Sequence, residues 1–218
     1  MPLKTIVYID GYNLYYGVLR RTPFKWLDVV KLFSEHLLDA SSSEIVEVRY
    51  YTAPILGVMC DDAESPSRQR SYLQALSKLH GERLQIVQGK LQASQPKKRP
   101  VEPIEGHELV KIHDFEEKKT DVSIAVDMLA DVWTGRCEQI VLCTNDTDQE
   151  PALAKIKQHH PQVKIGLVAP VPSHDSRYIS KSLVRYSDWH KLISTVHLSE
   201  SQLPNKIPHT SIKRPQTW

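Results

Sequence analysis

The sequence predicts an α/β protein built on a parallel sheet, and three observations carry that reading. Two short apolar runs, residues 5–9 (TIVYI) and 140–143 (IVLC), have the unbroken character of strands buried on both faces. Each run stops abruptly in a turn that holds an aspartate, Asp10 in the first and Asp146 in the second. Helical stretches separate the strand-like runs, as in βαβ units.

The elements follow in order. After the first strand, Gly11 permits a turn, and Leu14, Tyr15 and Tyr16 start a short helix. Asp10 either caps that helix or offers its carboxylate to a ligand. Asn13 either holds Asp10 or a phosphate, or caps its own helix. Arg20, Arg21 and Lys25 follow beside Trp26; positive charge there suits the helix dipole and equally suits a phosphate backbone. Residues 26–38 carry apolar positions at helical spacing, and residues 45–53 alternate as a second strand. Residues 54–66 form a loop whose Asp61, Asp62 and Glu64 read as solvated surface. An amphipathic helix over 67–80 turns Tyr72, Leu73, Leu76 and Leu79 inward and stops at Gly81. Residues 84–87 are a third strand.

Residues 89–106 are the least globular interior segment, with the basic, proline-punctuated run QPKKRP at 95–100. Residues 109–112 read as a return strand that pairs with 90–92, giving a basic arm over about 89–113. That arm is a surface loop or a nucleic-acid contact. Residues 116–121 then lead into a long helix, whose apolar face takes Val122, Ala125, Val126, Met128, Leu129 and Val132. It places Asp121 in its first turn, Asp127 in a setting odd for an apolar stripe, and Asp131 toward solvent. The helix crosses over to the strand at 140–143. Residues 152–160 are helical, 163–168 are a strand, and 173–183 are a helix with Ser180 and Lys181 on the same rim. Residues 189–198 close the fold. The segment 199–218 is an extended tail, docked through Leu203, Ile207 and Trp218.

Charged residues make up 25% of the 218 residues and the formal net charge is +2, a balance ordinary for a globular protein. The three cysteines have no metal-ligand spacing, and the ten histidines are scattered, so zinc is not expected. Neither a signal peptide nor an apolar run of about 18 residues is present, which places the protein in the cytoplasm without a membrane. No glycine-rich phosphate loop and no Gly-x-Ser-x-Gly elbow occur. What remains is a set of acids at strand ends and helix starts: Asp10, Asp121, Asp146 and Asp148. Thr147 or Asp148 can also serve simply as the cap of the next helix. If the strands of Asp10 and Asp146 are neighbours, these carboxylates meet in one crevice at the carboxyl edge of the sheet. Carboxylates without histidine or cysteine select hard cations, Mg²⁺ or Mn²⁺, and such ions work chiefly on phosphates.

Three segments carry a resemblance to a known family. Tyr8-Ile9-Asp10-Gly11-Tyr12-Asn13 is similar to the Asp-x-x-Asn opening of NYN domains, in the LabA-like bacterial branch of the PIN-like nuclease superfamily. Lys118-Lys119-Thr120-Asp121-Val122, continuing to Asp127-Met128, resembles the second acidic motif, and Thr144-Asn145-Asp146-Thr147-Asp148 with Pro151 resembles the third. The tail resembles this branch as well. The resemblance implies a three-layer α/β/α sandwich with a mostly parallel, Rossmannoid sheet, spanning residues 1–198. It implies a metal-dependent nuclease, more often an endoribonuclease, or else a non-catalytic regulatory or nucleic-acid-binding module. Asp10, Asp121, Asp146 and Asp148 would be catalytic and hold the metal, with Asp127 a lesser ligand. Asn13, Arg20, Arg21, Lys118, Lys119, Thr144, Asn145 and Thr147 would contact the substrate, RNA rather than DNA; a homodimer is compatible with it. Two positions depart from the motif. Asn145 replaces glycine, which asparagine can do by adopting positive φ, and Gln149 replaces an aromatic residue, which would loosen the packing beneath the site.

Overall fold

The structure, a computed structural model, describes residues 1–60, 62–102, 104–105, 108–172 and 178–216. Strand β1 (Leu3–Asp10) leads into helix α1 (Gly11–Leu14), which continues as a π-helical turn over Tyr15–Leu19. Helix α2 (Val29–Lys31), capped by Asp28, likewise continues as a π-helical stretch, Leu32–Leu37. Strand β2 (Ser43–Thr52), helix α3 (Ser65–His80) and strand β3 (Leu84–Gln88) follow. Gly81 ends α3 with φ of 54°, a conformation that glycine adopts without the penalty of a Cβ.

The arm is built from β4 (Lys90–Ser94), β5 (Lys97–Lys98), β6 (Val110–Lys111) and β7 (Asp114–Lys118). Its pairing differs from the sequence reading. Residues 90–92 pair with Lys118, Glu117 and Glu116, while residues 110 and 111 pair only with Lys98 and Lys97. No tight-turn dipeptide sets the register of this hairpin, so spacing alone could not locate the partner. The consequence is functional: Glu117 and Lys118 belong to a strand that runs directly into helix α4 (Thr120–Trp133).

The chain then forms β8 (Gln139–Cys143), α5 (Glu150–His159), β9 (Lys164–Ala169), α6 (Lys181–Tyr186), β10 (Trp189–Leu192) and α7 (Thr195–Glu200). Helix α6 begins only after Ser180, and residues 173–177 of the expected helix lie outside the described residues. Six strands make one sheet in the order β10-β9-β8-β1-β2-β3, with every neighbouring pair parallel. The chain moves outward from β1 in one direction and from β8 in the other. Their junction is therefore the switch point, where a crevice opens at the carboxyl edge.

The two faces of β1 show why its apolar run is unbroken. Val7 and Ile9 join a core with Leu14, Trp26, Phe33, Tyr72 and Leu76 on the α1–α3 side. Ile6 and Tyr8 join Ile124, Met128, Leu153 and Ile156 on the α4–α5 side. The result is a three-layer α/β/α sandwich. After α7, which runs past residue 198, the chain packs onto Trp26: Leu203 N donates to Trp26 O at 2.9 Å, and Trp26 Nε1 donates to Pro204 O at 3.0 Å. Leu203 and Ile207 are buried. Trp218 lies outside the described residues. Among the described residues no helix is long and apolar enough to cross a membrane.

Helix α4 corrects one expectation. Its buried positions are Ile124, Met128 and Val132 together with Asp131, whereas Val122 and Val126 are exposed. Asp131 lies seven residues beyond Ile124 and so shares its face. It is not solvent-facing. Its carboxylate accepts from the Tyr8 hydroxyl at 2.7 Å and pairs with Arg49 at 2.8 Å and Arg136 at 2.6 Å.

Candidate metal centre

Register places the first two acids. In the β1–β8 pairing Ile9 lies opposite Cys143, so Asp10 and Thr144 leave the sheet side by side. Asp10 caps α1: its Oδ1 accepts from Asn13 N and its Oδ2 from Asn13 Nδ2, both at 2.9 Å. Thr144 Oγ1 also donates to Asp10 Oδ2, at 3.0 Å. Asn13 Oδ1 in turn accepts from Asn145 N at 3.2 Å, which ties the two turns together. Asn13 thus holds Asp10 and is not itself the cap of its helix.

In the second turn Asp146, not Thr147 or Asp148, is the cap. Its Oδ1 accepts from Asp148 N at 3.0 Å and starts the 3₁₀ turn Thr147–Gln149 that feeds α5. Asn145 does not adopt positive φ; among the described non-glycine residues only Lys119 and His209 do. Its side chain works instead as a clamp, donating to Tyr178 O and accepting from Ser180 N, each at 2.8 Å. Gln149 replaces the aromatic residue with an amide whose buried Oε1 has no hydrogen-bond partner among the described residues. The residue is buried, and its Nε2 donates to the backbone oxygen of Asp121 at 3.1 Å, pinning the start of α4 to the start of α5.

These contacts bring Asp121, Asp146 and Asp148 together, with one carboxylate oxygen from each within 4.8 Å of the others. Asp121 and Asp146 are half-buried and Asp148 is exposed. Asp10 stands behind this trio, close enough that its charge acts on Asp121. Among the described residues no lysine, arginine or histidine forms an ion pair with any of the four. Burial, then the charges of Asp10, Asp146 and Asp148, push the Asp121 carboxyl up to about 6. Burial also raises Asp10, against the hydrogen bonds from Asn13 and Thr144 that lower it. An oxygen-only donor set with uncompensated charge suits a hard divalent cation such as Mg²⁺ or Mn²⁺.

Glu117 is not among the acids the sequence singles out, yet the charges of Asp121 and Asp10 act on it. Burial raises its carboxyl, opposed by the Thr120 backbone N–H, and the charges of Asp121 and Asp10 add to the rise. Its Oε1 accepts from the Thr120 hydroxyl. The signal lay in the strand alternation that puts Glu117 opposite in direction to Lys118, but only the register of β7 reveals it. Asp127 lies apart from the trio: it accepts from the Tyr51 hydroxyl at 2.7 Å and approaches Arg49 at 3.6 Å.

The expected basic residues scatter. Lys118 pairs with Glu116 at 2.8 Å, and Lys119 precedes α4 with φ of 83°. In the arm, Lys98 pairs with Asp114 and Arg99 with Glu108. Arg21 is exposed. Arg20 lies over the Tyr16 ring, 5.3 Å from its centroid, and lines a cleft of about 320 Å³ with Tyr12, Tyr15, Tyr50 and Lys25. A second groove of about 590 Å³ leads away from Asp121 and Asp148, past Thr147, between α4 and α5.

A match to the NYN domain family spans residues 4–192. The chain belongs to that family, which is nuclease-like. The match is to the family as a whole and does not single out its LabA-like branch. The chain is also similar to 6-hydroxy-3-succinoylpyridine 3-monooxygenase HspA of Pseudomonas putida. The two are 34% identical over 238 aligned positions, which cover all of this chain and 76% of the relative. Among solved structures it resembles VPA0982, a protein of unknown function from Vibrio parahaemolyticus. That likeness has a TM-score of 0.53 at 16% identity, covers 89% of this chain and 94% of the other, and concerns the fold alone.

Proposed function

We propose that this NYN protein is an endoribonuclease dependent on Mg²⁺ or Mn²⁺. The observation that carries the reading is the convergence of Asp121, Asp146 and Asp148 within 4.8 Å, without a paired cation among the described residues. Those three side chains would hold the ion. Asp10 would be the fourth acid of the site, kept in place by Asn13 and Thr144. The bound ion would supply positive charge for the phosphoryl oxygens and lower the pKa of an attacking water. Gln149 fixes where Asp121 leaves its helix, and Asn145 holds the 178–180 segment at the rim. Asn145 and Thr147 would line the approach, whereas Thr144, expected to touch the substrate, is buried and bonded to Asp10 and would only position that acid. Arg20, Arg21, Lys118 and Lys119 would be the cations offered to the strand.

Purified protein with Mn²⁺ should cleave single-stranded RNA, leave 5′-phosphate and 3′-hydroxyl ends, and stop when chelator is added. Asp121→Asn and Asp146→Asn should each abolish cleavage while remaining folded, since each keeps the side-chain shape and removes a ligand charge. Cleavage that persists in both variants, or 2′,3′-cyclic ends, would overturn the reading. A second reading takes its substrate class from the pyridine in the relative's name. The tyrosine-lined cleft favours it, because a flat ring fits there. Oxygen uptake with 6-hydroxy-3-succinoylpyridine and a two-electron donor such as a reduced nicotinamide, with no cleavage of RNA, would mark that case.

A further inference from the structure

The cleft beside Asp10 has features that the acid centre does not use. It opens at the carboxyl edge between α1 and α3, and Gly11 and Tyr12, the two residues after Asp10, form part of its wall. Tyr50 stands at its back. A Cβ placed on Gly11 would come within 2.8 Å of the Tyr50 hydroxyl, so glycine is what lets these surfaces meet.

The mouth of the cleft is aromatic and cationic. Tyr12 and Tyr16, one turn apart on the helix, lie nearly parallel, with 16° between their planes and 6.1 Å between centroids. Tyr15 meets Tyr16 edge-on at 5.3 Å. Tyr16 is 55% exposed, so part of its ring is open to solvent at the mouth of the cleft. Arg20 stands over that ring, and Lys25 lines the same cleft. Neither cation forms an ion pair among the described residues. Among the described residues the one carboxylate in the lining, Asp62, is engaged by Arg68 at 2.6 Å, so it does not cancel them. An exposed aromatic platform flanked by arginine is what a nucleobase with its phosphate requires: the ring stacks, and the guanidinium takes the anion.

We propose that this cleft binds one nucleotide of the RNA strand, with its base against Tyr16 and Tyr12 and its phosphate against Arg20 and Lys25. The assignment of the nucleotide to a strand rests on the ribonuclease reading. The cleft would then position a residue of the substrate to one side of the acid centre, and the groove between α4 and α5 would lie on the other.

The test is done in chelator, where cleavage is silent. A single-stranded oligoribonucleotide carrying one 2-aminopurine is titrated with the full chain, and quenching of its fluorescence reports stacking. We expect saturable quenching, an affinity about tenfold weaker in Tyr16→Ala, and a similar loss in Arg20→Ala. Tyr16→Trp, which keeps a stacking face, should retain binding. Unlabelled 5′-AMP should compete better than adenosine. Equal binding by wild type and Tyr16→Ala would overturn the proposal. Displacement by 6-hydroxy-3-succinoylpyridine but not by 5′-AMP would overturn it too, and would assign the cleft to a free aromatic acid. The two readings fail separately. Quenching without cleavage in Mn²⁺ would remove the ribonuclease and keep the nucleotide cleft; cleavage without Tyr16-dependent quenching would do the reverse.

Discussion

Helix α4 carries acids at both ends, and the two ends are opposites. Asp131, near its carboxyl end, is 3% exposed and fully paired, with Arg49, Arg136 and the Tyr8 hydroxyl around it and Glu47 bonded to both arginines. Asp121, at its amino end, is half-buried among Asp10, Asp146 and Asp148, with no cation paired to it among the described residues. A buried charge is tolerated only where an opposite charge and hydrogen bonds meet it. The first end meets that condition from within the chain. The second end does not, and it is there that the proposed function puts its ion.

The largest effect should come from breaking the paired end. Asp131→Asn removes a buried charge that both Arg49 and Arg136 are paired with and should cost about 3 to 5 kcal/mol in urea unfolding. A loss below about 1 kcal/mol would mean that Glu47 alone satisfies Arg49, and the contrast between the two ends would weaken. Asp131 therefore cannot serve as a neutral control for mutations at the site.

The opposite sign is expected at the open end. Asp146→Asn removes one of several mutually repelling charges, so the metal-free protein should melt at the same temperature as wild type or higher. Wild type should gain stability when Mn²⁺ is added, and the variant should gain much less. Asp146 also caps the turn before α5, but an asparagine oxygen can accept the same bond. A clear fall in the metal-free melting temperature would show the carboxylate to be structural.

A smaller, pH-dependent effect sharpens the same comparison. The folded-state value of Asp121, about 6, lies above its ordinary 3.8. Between those values the folded protein holds a proton that the unfolded chain has released, so stability falls as pH rises through that window. Metal-free wild type should therefore lose melting temperature between about pH 4 and 7 relative to Asp121→Asn, and saturating Mn²⁺ should flatten the difference. Parallel curves for the two proteins would place the shift elsewhere.

How much of this the sequence made legible depends on the kind of signal. The β1 and β8 turns were legible because an unbroken apolar run that ends at an acid is a local pattern, and both strands lie at the centre of the sheet. The face of α4 was not. Its sequence is apolar nearly all round, with Val122 and Val126 as eligible as Ile124 and Met128, so periodicity alone could not choose the stripe on which Asp131 falls. The acid trio was only partly legible. Asp10 looked like a ligand of equal rank; its carboxylate accepts from Asn13 and Thr144, which hold it in place behind the trio. Glu117 stayed hidden because it depends on the register of an arm without a turn signal. Gln149 read as a loss of packing, but a buried amide can pin a backbone oxygen where an aromatic ring cannot.

The most direct measurement is anomalous diffraction from crystals soaked in Mn²⁺. The account predicts a peak bonded to carboxylate oxygens of Asp121, Asp146 and Asp148, at about 2.2 Å, and none at Asp127 or Asp131, whose charges are already met. A map with no peak at the trio at saturating Mn²⁺, or with its strongest peak beside Asp131, would contradict it.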